Sequence, residues 1–103
     1  MNGVVTDVTD QQIMDAKAAV DAAGIGAEPA SCATVAGIHR LVSEGVTSSD
    51  ADVCGILTGN LLKDPDAVVR YHRSELEGIE SKSANAPVKV DATVDAVARA
   101  LRG

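Results

Sequence analysis

The stretch "LTGNLLKDPDAVV", Leu57–Val69, decides how this chain is read. A continuous apolar run, Val53, Cys54, Gly55, Ile56 and Leu57, stops at Thr58-Gly59-Asn60, and Asp64-Pro65 then opens a new helix. Run length and β-branched content predict a strand buried on both faces, as in a parallel sheet. Asp64 supplies a cap and Pro65 a first-turn proline for a helix through about Ser74. In open parallel α/β sheets ligands bind beyond the carboxyl ends of the strands, which is where Thr58 stands. Gly59 lets backbone approach a ligand closely, and the Thr58 hydroxyl can make one directed hydrogen bond. On spacing alone, a strand end followed by a turn is an equally complete account of the pair.

Working outward, Val4, Val5 and Val8 give a short β-prone start, and Thr9 then begins T-D-Q-Q, a capping box with Gln12 reaching back. Ile13, Ala16, Val20 and Ala23 mark the buried face of the helix that follows, which Gly24 and Gly26 end. Pro29 suits the first position of a second helix, whose apolar period continues through Val35, Ile38, Leu41 and Val42 to Gly45. Downstream, "EGIESKSANAP" is a polar loop, "VKV" a short edge strand, and Asp91 opens a last amphipathic helix on Val94, Val97 and Leu101. The alternation predicts an α/β fold, short parallel strands covered by amphipathic helices. Two or three strands would leave unpaired edges and an uncovered face, so residues 1–103 read as a single segment that is incomplete as a domain.

Composition agrees. The chain has 103 residues, enough for one domain, and 46% are hydrophobic, yet Tyr71 is the only aromatic residue. A core of Ala, Val, Ile and Leu encloses less apolar area than one with aromatic rings. A formal net charge of −6 opposes approach to nucleic acid or anionic lipid. No apolar run nears the roughly 20 residues needed to span a bilayer. The start "MNGVVTDVTD" lacks the regions of a signal peptide, so a cytosolic, reducing compartment is expected, with Cys32 and Cys54 as buried free thiols.

Other chemistry finds little support. Cys32 and His39 share a helix face, with His72 on the next helix, but a zinc site needs more ligands at tighter spacing. The chain has no phosphate-cradling glycine loop, and neither Ser31 nor Ser43 lies in a G-x-S-x-G setting. Lys63 adjoins Asp64 and reads as half of a solvated charge pair.

Two blocks in this order carry a more specific signal. "GIGAEPASCATVAGIHRLVSEGV", Gly24–Val46, followed by "CGILTGNLLKDPDAV", Cys54–Val68, closely resembles the C-terminal part of the threonine synthase family. The resemblance covers most of residues 9–102. It implies a pyridoxal-phosphate enzyme of the tryptophan-synthase β-like fold, fold type II, whose large domain this segment would complete. The implied reaction converts O-phospho-homoserine and water to threonine and phosphate.

The resemblance also implies roles for residues. The threonine of the T-G pair lies against the pyridine nitrogen of the cofactor, and Thr58 matches it, with Gly59 beside it. Glu28 and Ser31 match a block bordering the cofactor pocket. Asn60 and Leu61 stand where the family often has His and Gly, so their contacts depart from the pattern. The upstream lysine that links to the cofactor, in an S-F-K-D-R-like block, and the glycine loop for its phosphate have no counterpart here; Lys17, Lys63, Lys82 and Lys89 match neither. The segment is therefore expected to supply one wall of the site, to be inactive alone, and to need the missing N-terminal portion or a complementing chain. Its uncovered faces predict self-association. The rival reading is a small α/β interaction or regulatory module that kept the wall.

Overall fold

The computed structural model describes residues 2–103. Helix α1 spans Asp10–Ala22, and its start is the expected capping box: the Thr9 hydroxyl accepts from the Gln12 amide at 3.2 Å, and the Gln12 side chain accepts from the Thr9 amide at 2.9 Å. Helix α2 spans Pro29–Ser43 with Pro29 in its first turn. A 3₁₀ turn at Leu61–Lys63 precedes α3, Pro65–His72, where the Asp64 carboxylate caps the Ala67 amide at 3.2 Å. Helix α4 spans Val94–Leu101 and is capped by Thr93, not by Asp91.

The expected strands do not form. Among the described residues the one ladder contact is an isolated antiparallel bridge between Ala27 and Asn60. The residue pattern at 53–57 is strand-like, but a parallel strand is defined by its neighbours, and this chain brings none alongside. The segment lies instead against α2, where the Thr34 hydroxyl donates to the Ile56 carbonyl at 3.4 Å. Val53 and Ile56 stay exposed, as do Val4 and Val5 at the other candidate strand and Val88 and Val90 at the third. The short parallel strands of the sequence reading are thus corrected to unpaired backbone on a helical frame.

Two small clusters make the core. Val20, Ala27 and Cys32, with Ile13, Ala16, Val35 and Leu57 against them, join α1, α2 and the 53–57 segment. Met14, Ala18 and Tyr71, with Leu76 and Ile79, join α1 to α3 and the loop after it. Helix α1 therefore buries two stripes, where a single face was expected, and Ala23 lies exposed at its C-cap. The loop is fastened by polar bonds. The Gln11 amide group donates to the Glu80 carbonyl at 2.9 Å and accepts from the Glu80 amide at 2.7 Å, while the Tyr71 hydroxyl accepts from the Ser83 amide at 3.2 Å.

Lys17 was not read as a core residue, yet it is 2% exposed. A buried ammonium persists only when paired. Its Nζ donates to Asp21 Oδ2 at 2.9 Å and to the Ala27 carbonyl at 2.7 Å, strapping α1 to the residue before the N-cap of α2. Helix α4 packs on little: Val94 and Leu101 are over 80% exposed. The chain is accordingly extended, with a radius of gyration of 16.3 Å, against about 13 Å for a compact domain of this length.

The two cysteines differ. Cys32 is buried and Cys54 exposed, which corrects the expectation that both are buried. Burial pushes the Cys32 thiol up; the Lys17 ammonium opposes this and Asp21 adds to it. A raised acid contributes stability that is complete below its unfolded value and is lost as pH rises toward its folded value. Aromatic disulfide reagent at pH 8 should therefore modify Cys54 quickly and Cys32 only after denaturant is added, and stability should fall as pH climbs past the ordinary thiol range. Two rapidly reacting equivalents in the native chain would contradict this burial.

Candidate functional site

The start of α2 and the tip of the 53–60 segment meet at a small cluster of polar groups. The helix begins where it does because Pro29 lacks an amide hydrogen that the first turn could not use, and Glu28 holds the extended N-cap position before it. Ser31 then falls on the first turn, 3% exposed, facing the incoming segment.

Both backbone groups of Gly59 are claimed there. Its amide donates to Ser31 Oγ at 2.8 Å, and its carbonyl accepts from the Glu28 amide at 3.0 Å. This fixes the neighbouring Thr58, whose Oγ1 lies 3.3 Å from Ser31 Oγ. Glu28 Oε1 lies 3.4 Å from the same hydroxyl. The carboxylate is held from the other side by Lys63, whose Nζ is 3.0 Å from Oε2 and 3.1 Å from Oε1.

Glycine at 59 leaves room for the Glu28 side chain. A Cβ built there would collide with the Glu28 side chain, including its Cγ at 2.6 Å. Gly26 has a related role: its φ of +67° suits glycine, and a Cβ there would lie 2.7 Å from Leu61 Cδ2. The two glycines let the Ala27–Glu28 and Gly59–Asn60 backbones approach closely enough to bridge.

Four of the five residues singled out from sequence, Glu28, Ser31, Thr58 and Gly59, thus form one hydrogen-bonded cluster. Asn60 adjoins it with its side chain turned elsewhere: Oδ1 caps the 3₁₀ turn by accepting from the Leu62 amide at 2.9 Å. Lys63 pairs with Glu28, whereas its neighbour Asp64 was the expected partner. No local pattern signals this pair, since the two lie 35 residues apart. Cys32, His39 and His72 do not converge, and among the described residues no group of His, Cys, Asp and Glu could hold a metal. No described helix is long and apolar enough to cross a membrane.

The arrangement offers a hydroxyl on the exposed Thr58, backed by a buried serine and a paired carboxylate. Such a rim can orient one polar atom of a ligand, and the cluster alone contains no activated nucleophile or base. A Gly59→Ala substitution is expected to displace Glu28 and to destabilise the chain by roughly 1–3 kcal/mol, read as the urea unfolding midpoint. Gly3→Ala should leave that midpoint in place, because a Cβ at Gly3 meets nothing within 4 Å. Equal midpoints for the two variants would show that Glu28 does not occupy the space above Gly59.

No protein-family model matches the chain. Curated relatives do. It is 40% identical over 102 residues to the threonine synthase of Methanosarcina acetivorans, covering 98% of this chain and 22% of that protein. It is 33% identical over 101 residues to the threonine synthase of Methanocaldococcus jannaschii, covering 97% of this chain and 22% of that protein. The threonine synthase of Synechocystis is 43% identical over 77 residues, 74% of this chain and 20% of that protein. The chain spans about a fifth of the length of the relatives it matches. By sequence, then, the chain belongs to the threonine synthase family, similar to its members along nearly all of its own length and to a small part of theirs.

Proposed function

We propose that the chain is the C-terminal segment of a threonine synthase and supplies one wall of its pyridoxal-phosphate site. The complete enzyme would convert O-phospho-homoserine and water to threonine and phosphate in the cytosol. The observation that carries this reading is the meeting of Glu28, Ser31, Thr58 and Gly59 in one cluster, built from both blocks, with Ser31 and Thr58 27 residues apart.

These residues fit one edge of the cofactor. Thr58 presents a hydroxyl at an exposed rim, suited to a ring nitrogen; the space above Gly59 is taken by the Glu28 side chain, so Gly59 serves the docking of the segment and not the close approach to a ligand expected from the sequence. They fit nothing more of it. Lys17 is buried against Asp21 and Ala27, and Lys63 is held by Glu28, so neither stands ready as a covalent anchor. The anchor lysine and phosphate loop would come from the missing N-terminal portion or from a complementing chain. When bound, the cofactor would supply an electron-withdrawing ring. The role of this chain would be to orient that ring: Thr58 Oγ1 would bond the nitrogen, Ser31 would hold Thr58, and Gly59 anchors the Thr58 segment to the start of α2. A neutral hydroxyl leaves the nitrogen unprotonated, where a carboxylate would favour its protonation. Alone, the chain should not turn over substrate, and its exposed α4 face should promote self-association.

The test is complementation. The chain is produced together with the Methanosarcina acetivorans relative cut back to the part that this chain does not match, and phosphate release from O-phospho-homoserine is measured. Activity in the mixture and in neither part alone is expected; a mixture as inert as its parts, with both parts folded, would overturn the reading. In the active mixture Thr58→Val should leave the ring nitrogen without its partner, at roughly 1–3 kcal/mol, lowering kcat about tenfold for each 1.4 kcal/mol. Thr58→Ser keeps a hydroxyl and should stay nearer the parent. Equal kcat for Val and Thr would remove Thr58 from the site.

A further inference from the structure

The cluster leaves the direction of one hydrogen bond to be set. Ser31 Oγ spends one lone pair on the Gly59 amide at 2.8 Å. Its single proton then faces two acceptors at nearly equal range, Thr58 Oγ1 at 3.3 Å and Glu28 Oε1 at 3.4 Å. The choice fixes what Thr58 shows to a ligand. If Ser31 donates to Thr58, the Thr58 proton must point away from Ser31, and the rim offers a donor. If Ser31 donates to Glu28, the Thr58 proton turns back onto the second lone pair of Ser31, and the rim offers only lone pairs.

Distance does not discriminate between these states, but charge does. A carboxylate is the stronger acceptor and would take the serine proton if its own oxygens were unserved. Lys63 contacts both of them, at 3.1 Å from Oε1 and 3.0 Å from Oε2, taking one lone pair of each and balancing the charge that makes the carboxylate the stronger acceptor. We propose that Lys63 is a positioning residue: by occupying Glu28 it turns the Ser31 proton toward Thr58, so that Thr58 presents a hydrogen-bond donor at the rim. The inference rests on the reading that Thr58 faces the ring nitrogen of the cofactor. Without Lys63, Thr58 would become an acceptor, and a ring nitrogen facing it would be favoured in its protonated, donating form, the proton coming from solvent. Lys63 is itself 64% exposed, so the effect is on hydroxyl direction and not on the integrity of the fold.

The complemented enzyme, loaded with cofactor labelled with ¹⁵N at the ring nitrogen, tests this by nuclear magnetic resonance. The parent should give an unprotonated nitrogen signal, Lys63→Met a signal moved toward the protonated position, and Lys63→Arg the parent signal, since it restores a cation. Lys63→Met combined with Glu28→Gln should also return toward the parent, because the competing charge is gone. A Lys63→Met signal identical to the parent, while Thr58→Val moves it, overturns the role of Lys63 and leaves the site standing. A Lys63→Met shift that persists in a Thr58→Val background overturns the relay through Thr58. If no variant moves the signal, or no cofactor is retained, the site reading falls and this proposal with it.

Discussion

The site depends on one residue whose amide and carbonyl are both bound by the first turn of a helix. Gly59 donates to Ser31 Oγ and accepts from the Glu28 amide, at 2.8 and 3.0 Å, so the segment carrying Thr58 is docked at two points on the start of α2. A buried amide left without a partner costs roughly 1–3 kcal/mol. A larger residue would have to displace the Glu28 side chain, which fills the space a Cβ would take. Steric need and hydrogen bonding therefore converge on one position, and the orientation of Thr58 follows from them.

The rest of the frame supports that docking from behind. Lys17 holds the Ala27 carbonyl, one residue before Glu28, and draws its charge balance from Asp21 one turn along α1. Ala27 and Cys32 then pack on Val20. The loop after α3 is tied to the opposite stripe of α1 by Gln11 and Tyr71. Helix α4 takes no part, and its apolar residues remain in solvent. This division sets a well-bonded site frame beside an unpartnered helix and unpaired apolar backbone, in a chain that spans about a fifth of the length of its relatives.

Helices were legible in the sequence because their signals are local. Thr9 with Gln12, Pro29, and Asp64 with Pro65 each specify a start within four residues, and each start is observed. The strands were misread for the converse reason: Val53–Leu57 has strand composition, but pairing depends on partners distant in sequence, and none lies alongside. Lys17 was missed because a lone charge at a stripe position reads as solvated. The hint was Asp21 four residues on, a spacing that places both on one helix face. Glu28, Ser31, Thr58 and Gly59 were found together through the family blocks, which encode a contact that no local pattern reveals. The Lys63 partner was misassigned because Asp64 is adjacent in sequence while Glu28 is adjacent in space.

The most direct measurement of this account is amide hydrogen exchange at Gly59, residue by residue, in the chain itself. If Ser31 Oγ holds that amide, it exchanges far more slowly than the amide of Gly78 in the polar loop, and Ser31→Ala brings the two rates together while Cys54→Ala does not. A Gly59 amide that exchanges as fast as Gly78 in the parent chain would contradict the docking of the Thr58 segment on α2, and with it the site built there.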